Sequence, residues 1–330
     1  MRRCALGRRV LVGVVAGLAA GGLLVRGRAS MAVRTAAGLA WPGPDPAALR
    51  AAVAGRVVLV TGASSGIGEA TARQVAAAGG IVLLVARTAD RLAAVRAEID
   101  AAGGAAYAYP ADLSDRAQVA AVLSRILADH GEVDIVVNNA GRSIRRPLDL
   151  AYDRFHDYTR TIEVNYLGPV QLLLGLLPGM RARGRGHLVN VSTIGVDLPM
   201  PHWSAYLASK SAFEAWLRAA APEARADGVM TTSIHFPLVH TAMSAPTEAF
   251  ARLPGMTAEE AGAVVCRALA HRPRLLSPWW ARLGGLVADA APATLDAVTA
   301  AYCRFDQRDR PQPSTPDRAP APELGSEPVR

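Results

Sequence analysis

Short apolar segments alternate with longer helical segments along the middle of this chain, and that alternation leaves few folds open. The short segments are predicted strands, with 57–60 and 81–85 apolar throughout, and they occupy residues 57–60, 81–85, 105–109, 133–137, 187–191 and 230–236. Strands of this kind have both faces covered, as in a parallel sheet with a layer of helices on each side. Right-handed crossovers then predict a doubly wound α/β fold, with ligands at the carboxyl ends of the strands.

Composition and the strand–helix pattern divide the chain into predicted segments. Residues 53–275 carry the alternation and are expected to form a single domain, followed by apolar C-terminal helices over 276–305. Residues 31–52 are rich in proline and are interpreted as a linker, and residues 306–330 as a disordered tail. Helices are predicted over residues 66–78, 89–102, 115–130 (with Ser114 as the N-cap), 153–161, 165–183, 203–226, 257–271 and 286–302.

The charge of the chain is concentrated at its N-terminus. The formal net charge is +8, but residues 1–34 contain seven arginines and no acidic residue, so the remainder is almost neutral. A nearly neutral folded domain argues against nucleic acid as a partner. The three cysteines are widely separated and show neither a disulfide framework nor zinc-ligand spacing, so we expect no metal site and a reducing compartment.

An apolar run, Val10–Val25, lies within residues 1–30 between arginines. It is shorter than the roughly 20 residues that usually span a bilayer. Three interpretations remain: a short membrane anchor, a secretory signal without a clear cleavage site, or an upstream extension of a gene whose start is Met31. The first predicts a cytoplasmic protein held at the inner face of the cell membrane.

A glycine-rich loop directly follows the first strand and opens a helix. Glycine lets the backbone approach a pyrophosphate, and the helix N-terminus supplies amide donors. With the strand before it and the second strand after the helix, the loop completes a βαβ unit for a dinucleotide. The predicted cofactor-binding residues here are Gly62, Ser64, Ser65, Gly66, Ile67 and Gly68.

The end of the second strand indicates which dinucleotide binds. A carboxylate at this point binds the ribose 2′-hydroxyl of NAD, whereas this chain has Arg87 there and no acid before Asp90. An arginine can pair with the 2′-phosphate, so the sequence favours NADPH.

The single lysine of the chain, Lys210, follows Tyr206 by four residues. Positions i and i+4 share a helix face, so the ammonium and the phenol can converge. An ammonium beside a phenol favours the phenolate and is expected to lower the pKa of Tyr206, which suits proton transfer near neutrality.

These three segments together resemble the short-chain dehydrogenase/reductase family. The matching motifs are Thr61 to Gly68, Asn138-Asn139-Ala140-Gly141 and Tyr206-x-x-x-Lys210, and the resemblance covers about residues 53–275. It implies a Rossmann fold with seven strands in the order 3-2-1-4-5-6-7. It also implies cofactor contacts from Asp112, Leu113, Asn138, Ala140, Gly141, Tyr206, Lys210, Pro237, Val239 and Thr241. Leu238 departs from the family pattern, which has a glycine there.

The resemblance also implies four catalytic residues. Tyr206 donates a proton, Lys210 lowers its pKa and holds the nicotinamide ribose, and Asn165 completes a water relay. The fourth is a hydroxyl thirteen residues before the tyrosine, which is Thr193 here; with a loop one residue shorter, Ser192 takes its place.

A narrower likeness links the chain to bacterial fatty acyl-CoA reductases, which use NADPH. It rests on the continuations after Gly141, Asp153 and Pro237. It implies a lipid-like carbonyl or acyl-CoA substrate, and family members commonly form dimers or tetramers. The arginines at 142, 145 and 146 could meet CoA phosphates, or form a solvated, salt-bridged loop. The Trp279-Trp280 pair either contacts a membrane or a lipid channel, or packs a C-terminal helix. A generic alcohol or ketone dehydrogenase and a non-catalytic cofactor-binding protein are the alternatives.

Overall fold

Seven parallel strands form one sheet in the computed structural model, which describes residues 41–247, 250–251 and 253–308. Their order is β3-β2-β1-β4-β5-β6-β7, and every neighbouring pair is parallel. The doubly wound sheet and its order are therefore confirmed. The strands are β1 Val57–Thr61, β2 Ile81–Ala86, β3 Ala105–Pro110, β4 Ile135–Asn138, β5 Gly186–Thr193, β6 Val229–Phe236 and β7 Leu275–Leu276.

Helices connect these strands, and most lie close to their predicted positions. A π-helical stretch, Glu163–Leu167, joins two of them, and short 3-10 turns lie at Leu148–Leu150 and Ile194–Val196. The helices are α1 Pro46–Val53, α2 Gly66–Ala77, α3 Ala89–Ala101, α4 Arg116–His130, α5 Phe155–Ile162, α6 Gly168–Ala182, α7 Ser204–Ala226, α8 Ala258–His271, α9 Trp279–Ala290 and α10 Pro292–Arg308.

The central strands of the sheet are covered on both faces, and all five residues of β1 are buried. One hydrophobic cluster lies between the sheet and helices α1, α2, α3 and α8, and includes Val75 and Val264. A second cluster covers the other face with α4, α6 and α7, and includes Leu172 and Phe213. Chain order reverses between β1 and β4, so a crevice opens at their carboxyl ends, where doubly wound sheets bind ligands.

Three predicted boundaries need correction. The interval 31–52, predicted as a linker, contains most of α1, which forms because Asp45 caps it and because Leu49 and Val53 are buried in the core. Asp115, not Ser114, is the N-cap of α4, since its carboxylate accepts hydrogen bonds from the first-turn amides. The predicted helix 286–302 is two helices, α9 and α10, interrupted before Pro292.

The ends of the chain extend beyond the described residues. The apolar run 10–25 lies there, and so does the predicted tail apart from residues 306–308, which end α10. The chain divides into two units, residues 1–290 and 291–330, and α10 belongs to the second. Within the described residues, no helix is long and apolar enough to cross a membrane.

Candidate active site

The glycine-rich loop is fixed by hydrogen bonds from the segment that follows β4. The Thr61 hydroxyl accepts from the backbone N–H groups of Asn139 and Ala140, both at 2.9 Å. The Asn139 side chain in turn donates to the Thr61 carbonyl at 2.9 Å. The ends of β1 and β4 are thereby tied together at the crevice. Sequence reasoning quoted Asn139 within its motif without giving it this role.

Glycine is required in this loop because backbone and side chains approach too closely for a Cβ atom. Gly62 has a φ of +67°, and a Cβ on Gly68 would lie 2.4 Å from the Gly62 carbonyl oxygen. Ser64 and Ser65 are half-buried, and Ile67 packs on the core. Ser65, the N-cap of α2, makes no capping hydrogen bond with its side chain. The first-turn amides of α2 therefore suit a pyrophosphate.

The segment after β6 closes against this loop. A Cβ on Gly66 would lie 3.1 Å from the Thr241 methyl group, so Thr241 borders the glycine-rich loop, and the predicted residues Pro237 and Val239 precede it in the same segment. The Ser244 hydroxyl holds the segment, accepting from the Thr241 amide at 3.0 Å and donating to the Val239 carbonyl at 2.9 Å. Leu238, which departs from the family pattern, bonds through its carbonyl to the Met256 amide at 2.9 Å.

The predicted adenine end of the cofactor lies at β2 and β3. Arg87 follows β2, its side chain is 67% exposed, and its guanidinium lies 3.8 Å from the Asp112 carboxylate. The Asp112 carboxylate also accepts from the Ser114 amide at 2.9 Å. Leu113 is buried against the start of α6. Arg87 is thus exposed and only loosely paired, so its guanidinium can bind an incoming phosphate.

Asn138, Ala140 and Gly141 connect this cradle to the candidate catalytic residues. The Asn138 side chain is buried, and its amide nitrogen donates to the Asn190 side chain at 3.2 Å. Its side-chain oxygen, Oδ1, has no hydrogen-bond partner. A Cβ placed on Gly141 would lie 3.1 Å from the Asn165 side-chain oxygen and 3.4 Å from the Lys210 Nζ. The backbone at Gly141 therefore passes directly over Asn165 and Lys210.

Asn165 and Lys210 are both buried and held by the backbone. The Lys210 ammonium donates to the Val191 carbonyl at 2.9 Å. The Asn165 side chain accepts from the Arg142 amide at 2.8 Å and donates to the Arg142 carbonyl at 2.9 Å. It lies within the π-helical stretch, a geometry often found at functional sites. Its amide also reaches the Ser209 hydroxyl at 2.8 Å, a contact that sequence reasoning missed.

Tyr206 lies one turn before Lys210, at the start of α7, and is half-buried. Burial raises the pKa of Tyr206 to about 12, against the opposing effect of a hydrogen bond with Thr193. Burial lowers the pKa of Lys210 to about 8, against the opposing charge of Glu214. The expected lowering of the Tyr206 pKa is therefore corrected, because desolvation of the phenol outweighs its hydrogen bond with Thr193.

Thr193 and Ser192 differ in their surroundings. Thr193 ends β5, its hydroxyl accepts from the Gly195 amide at 3.2 Å, and it interacts with the Tyr206 hydroxyl. The Ser192 hydroxyl is buried without a hydrogen-bond partner, on a strand position in register with His235 of β6. The contact with Tyr206 favours Thr193 as the hydroxyl beside the reacting oxygen.

Three ionisable groups behind Lys210 were not assigned by sequence reasoning. Glu214 is buried one turn after Lys210, and its carboxylate accepts from Asn190 at 3.1 Å and from Ser233 at 2.5 Å. The other carboxylate oxygen lies 3.6 Å from the imidazole Nε2 of His235. His235 Nδ1 is 2.7 Å from the Asp197 carboxylate. In the part of the chain that the structure describes, no cluster of side chains has a metal-binding arrangement.

The arginine cluster has mixed surroundings. Arg146 forms a 2.6 Å ion pair with Asp157, and the Arg145 guanidinium lies 5.3 Å from the centre of the Trp203 ring. Arg142 is exposed and uses its backbone to bind Asn165. The interpretation as a salt-bridged loop thus holds at Arg146, whose partner is Asp157. In the Trp279-Trp280 pair, Trp279 is 62% exposed.

Comparison with known proteins places this site in a family. Residues 56–251 match the model of the short chain dehydrogenases. An uncharacterised oxidoreductase of Mycobacterium tuberculosis is 47% identical over 253 residues, or 76% of this chain and 74% of that protein. The fatty acyl-CoA reductase of Acinetobacter baylyi is 43% identical over 246 residues, or 74% of this chain and 83% of that protein.

A solved structure extends the comparison to the fold. The crystal structure of a metagenomic short-chain oxidoreductase in complex with NADP is 32% identical, with a TM-score of 0.59, and covers 69% of this chain and 96% of that chain. The matched residues carry both the glycine-rich cradle and the tyrosine–lysine pair. The chain therefore belongs to the short-chain dehydrogenase family of oxidoreductases.

Proposed function

We propose that the protein reduces a lipid carbonyl with NADPH, and that its substrate is a long-chain acyl-CoA converted to the fatty aldehyde. The observation that carries the proposal is the 43% identity with the fatty acyl-CoA reductase of Acinetobacter baylyi over 83% of that protein. Residues 56–251, which match the family model, include Tyr206 and Lys210.

The residues present fit a nicotinamide dinucleotide. Gly62, Gly66 and Gly68 leave a cradle that a Cβ atom would fill, and Gly141 leaves the same space over Lys210. When bound, NADPH supplies a hydride to the carbonyl carbon. Arg87 would hold the 2′-phosphate, and Lys210 the nicotinamide ribose.

The protonation state of Tyr206 suits reduction. With its pKa raised to about 12, the hydroxyl is protonated at neutral pH and can give its proton to the oxygen that gains charge. The Thr193 hydroxyl stabilises the same oxygen by a hydrogen bond. From a thioester, addition of hydride and proton gives a thiohemiacetal. Its carbon–sulfur bond then breaks, the hydroxyl loses its proton, and CoA leaves as the thiol.

Release of thiol is the measurement that tests this proposal. With palmitoyl-CoA, we expect one free thiol, detected with a thiol reagent, for each NADPH consumed. If NADPH is oxidised only with aldehydes or ketones and no thiol appears at any chain length, the substrate proposal fails. The protein is then a general carbonyl reductase of the family. NADPH binding without turnover on any carbonyl would instead indicate a non-catalytic protein.

Replacing Arg87 by alanine should weaken NADPH binding by about tenfold to a hundredfold and leave NADH binding unchanged. The reason is that charge-assisted hydrogen bonds contribute about 1.5–3 kcal/mol each. The KM values for the two cofactors give the comparison, and Arg91→Ala, another exposed arginine in the next helix, is the control. An equal loss for both cofactors would assign Arg87 a general electrostatic role.

Two further properties stay predictions of the sequence and its resemblance. The predicted tethering to the inner face of the membrane depends on residues 10–25. The predicted dimer or tetramer is based on the oligomers that members of the family commonly form. Arg142 and Arg145 are proposed to contact the CoA phosphates; both have exposed side chains.

A further inference from the structure

Alternating charges form a buried array beside the candidate catalytic lysine. Starting at Lys210, the order is ammonium, Glu214 carboxylate, His235 imidazole and Asp197 carboxylate. The side chains of Lys210, Glu214 and His235 are almost wholly buried, whereas that of Asp197 is 23% exposed. The array therefore runs from the centre of the site to the loop after β5.

Buried ions need partners, and each member of the array has them. Burial alone would raise the pKa of Glu214, yet contacts with His235, Ser233 and Asn190 hold it below its usual range. Burial alone would lower the pKa of His235, but Asp197 and Glu214 raise it to about 9. The contacts within the array therefore favour the ionised form of Glu214 and the protonated form of His235.

Glu214 of this array acts on the charge of Lys210. Glu214 lies four residues after Lys210 on α7, and it is the charged group whose field opposes the effect of burial on the ammonium. The Val191 carbonyl of β5 is the hydrogen-bond acceptor of the ammonium, and β5 also carries Asn190, which holds Glu214. The lysine and its counter-charge are thus fixed by consecutive residues of one strand.

We propose that Glu214 is a positioning residue that keeps the Lys210 ammonium charged in its buried place, and that His235 and Asp197 keep Glu214 ionised. This inference rests on the role of Lys210 in the reaction of the family and does not depend on a lipid substrate. It assigns a function to Glu214, His235 and Asp197, which are not among the four catalytic residues that the family implies.

The single lysine of the chain allows a direct test. Protein labelled with ¹³C and ¹⁵N in lysine gives the side-chain NMR signals of one residue, and their titration reports Lys210 without any assay of turnover. In Glu214→Gln, which keeps the shape and removes the charge, we expect the Lys210 pKa to fall by at least about one pH unit. Glu214→Asp, which keeps the charge, should restore most of the shift. Glu223→Gln, an exposed site on the same helix, should leave the titration unchanged.

The activity profile gives an independent readout. The high-pH limb of kcat/KM, measured with any carbonyl the enzyme accepts, should move to lower pH in Glu214→Gln by the same amount. If Glu214→Gln does not fold, Glu214→Leu removes the charge with an apolar side chain of similar size, and the same fall in the Lys210 pKa is expected. A Lys210 titration that is identical in the wild type and in the folded uncharged variant overturns the proposal, whatever the thiol-release assay shows.

Discussion

Replacing Tyr206 by phenylalanine should reduce kcat by about a thousandfold or more while NADPH still binds. The change removes one hydroxyl, the proton donor, and general acid catalysis typically contributes 10² to 10⁴ in rate. The substitution changes neither the glycine-rich loop, Gly62 to Gly68, nor Arg87. The affinity for NADPH should therefore stay within about twofold of the wild-type value. Single-turnover kinetics and a fluorescence titration with NADPH separate the two effects.

Tyr152→Phe is the matched control, since that side chain is 81% exposed and takes no part in the site. It should retain wild-type activity. Full activity in Tyr206→Phe would remove the tyrosine from the reaction and favour a protein that binds a dinucleotide without using it.

Replacing Lys210 by methionine should lower kcat/KM by about a thousandfold without a matching loss of stability. The folded protein buries this ammonium, and burial lowers its pKa from 10.5 to about 8. A lowered pKa on a cationic group means that its charged form destabilises the fold below about pH 8. The penalty is relieved as pH rises from 8 towards 10.5, where the unfolded chain also loses the proton.

The stability difference between Lys210→Met and wild type should therefore favour the variant more at pH 7.5 than at pH 10, by about 2 kcal/mol. Urea unfolding at the two pH values measures it. Arg218→Met, an exposed cation two turns later on the same helix, should show no such dependence. A stability difference that is the same at both pH values would mean that the ammonium is solvated in the folded protein.

Much of the fold is readable from local pattern, because β2 and the first four residues of β1 are apolar and the glycine-rich loop between β1 and α2 follows a dinucleotide-binding pattern. Helix α1 was missed because its residues look like a proline-rich linker; it forms by packing on a core that no local pattern displays. The π-helical stretch at Asn165 has the same origin, since the Arg142 backbone and Ser209 fix the side chain from distant positions.

The candidate site divides in a similar way. Tyr206 and Lys210 are visible because their spacing is helical, whereas Glu214, His235 and Asp197 meet only through the sheet. A signal for them does exist in β6, where Thr231, Ser233 and His235 lie at alternate positions of a strand that is almost wholly buried. Such a polar stripe on a buried strand indicates a polar partner on the facing helix.

Two consecutive glycines in α9 seat this helix on the loop after β5. A Cβ on Gly284 would lie 2.6 Å from the Leu198 side chain, and one on Gly285 would lie 3.1 Å from the Asp197 carbonyl. With so little clearance, the loop cannot open towards α9 unless the helix moves with it. Any displacement of this loop, which carries Asp197, is consequently coupled to a displacement of α9.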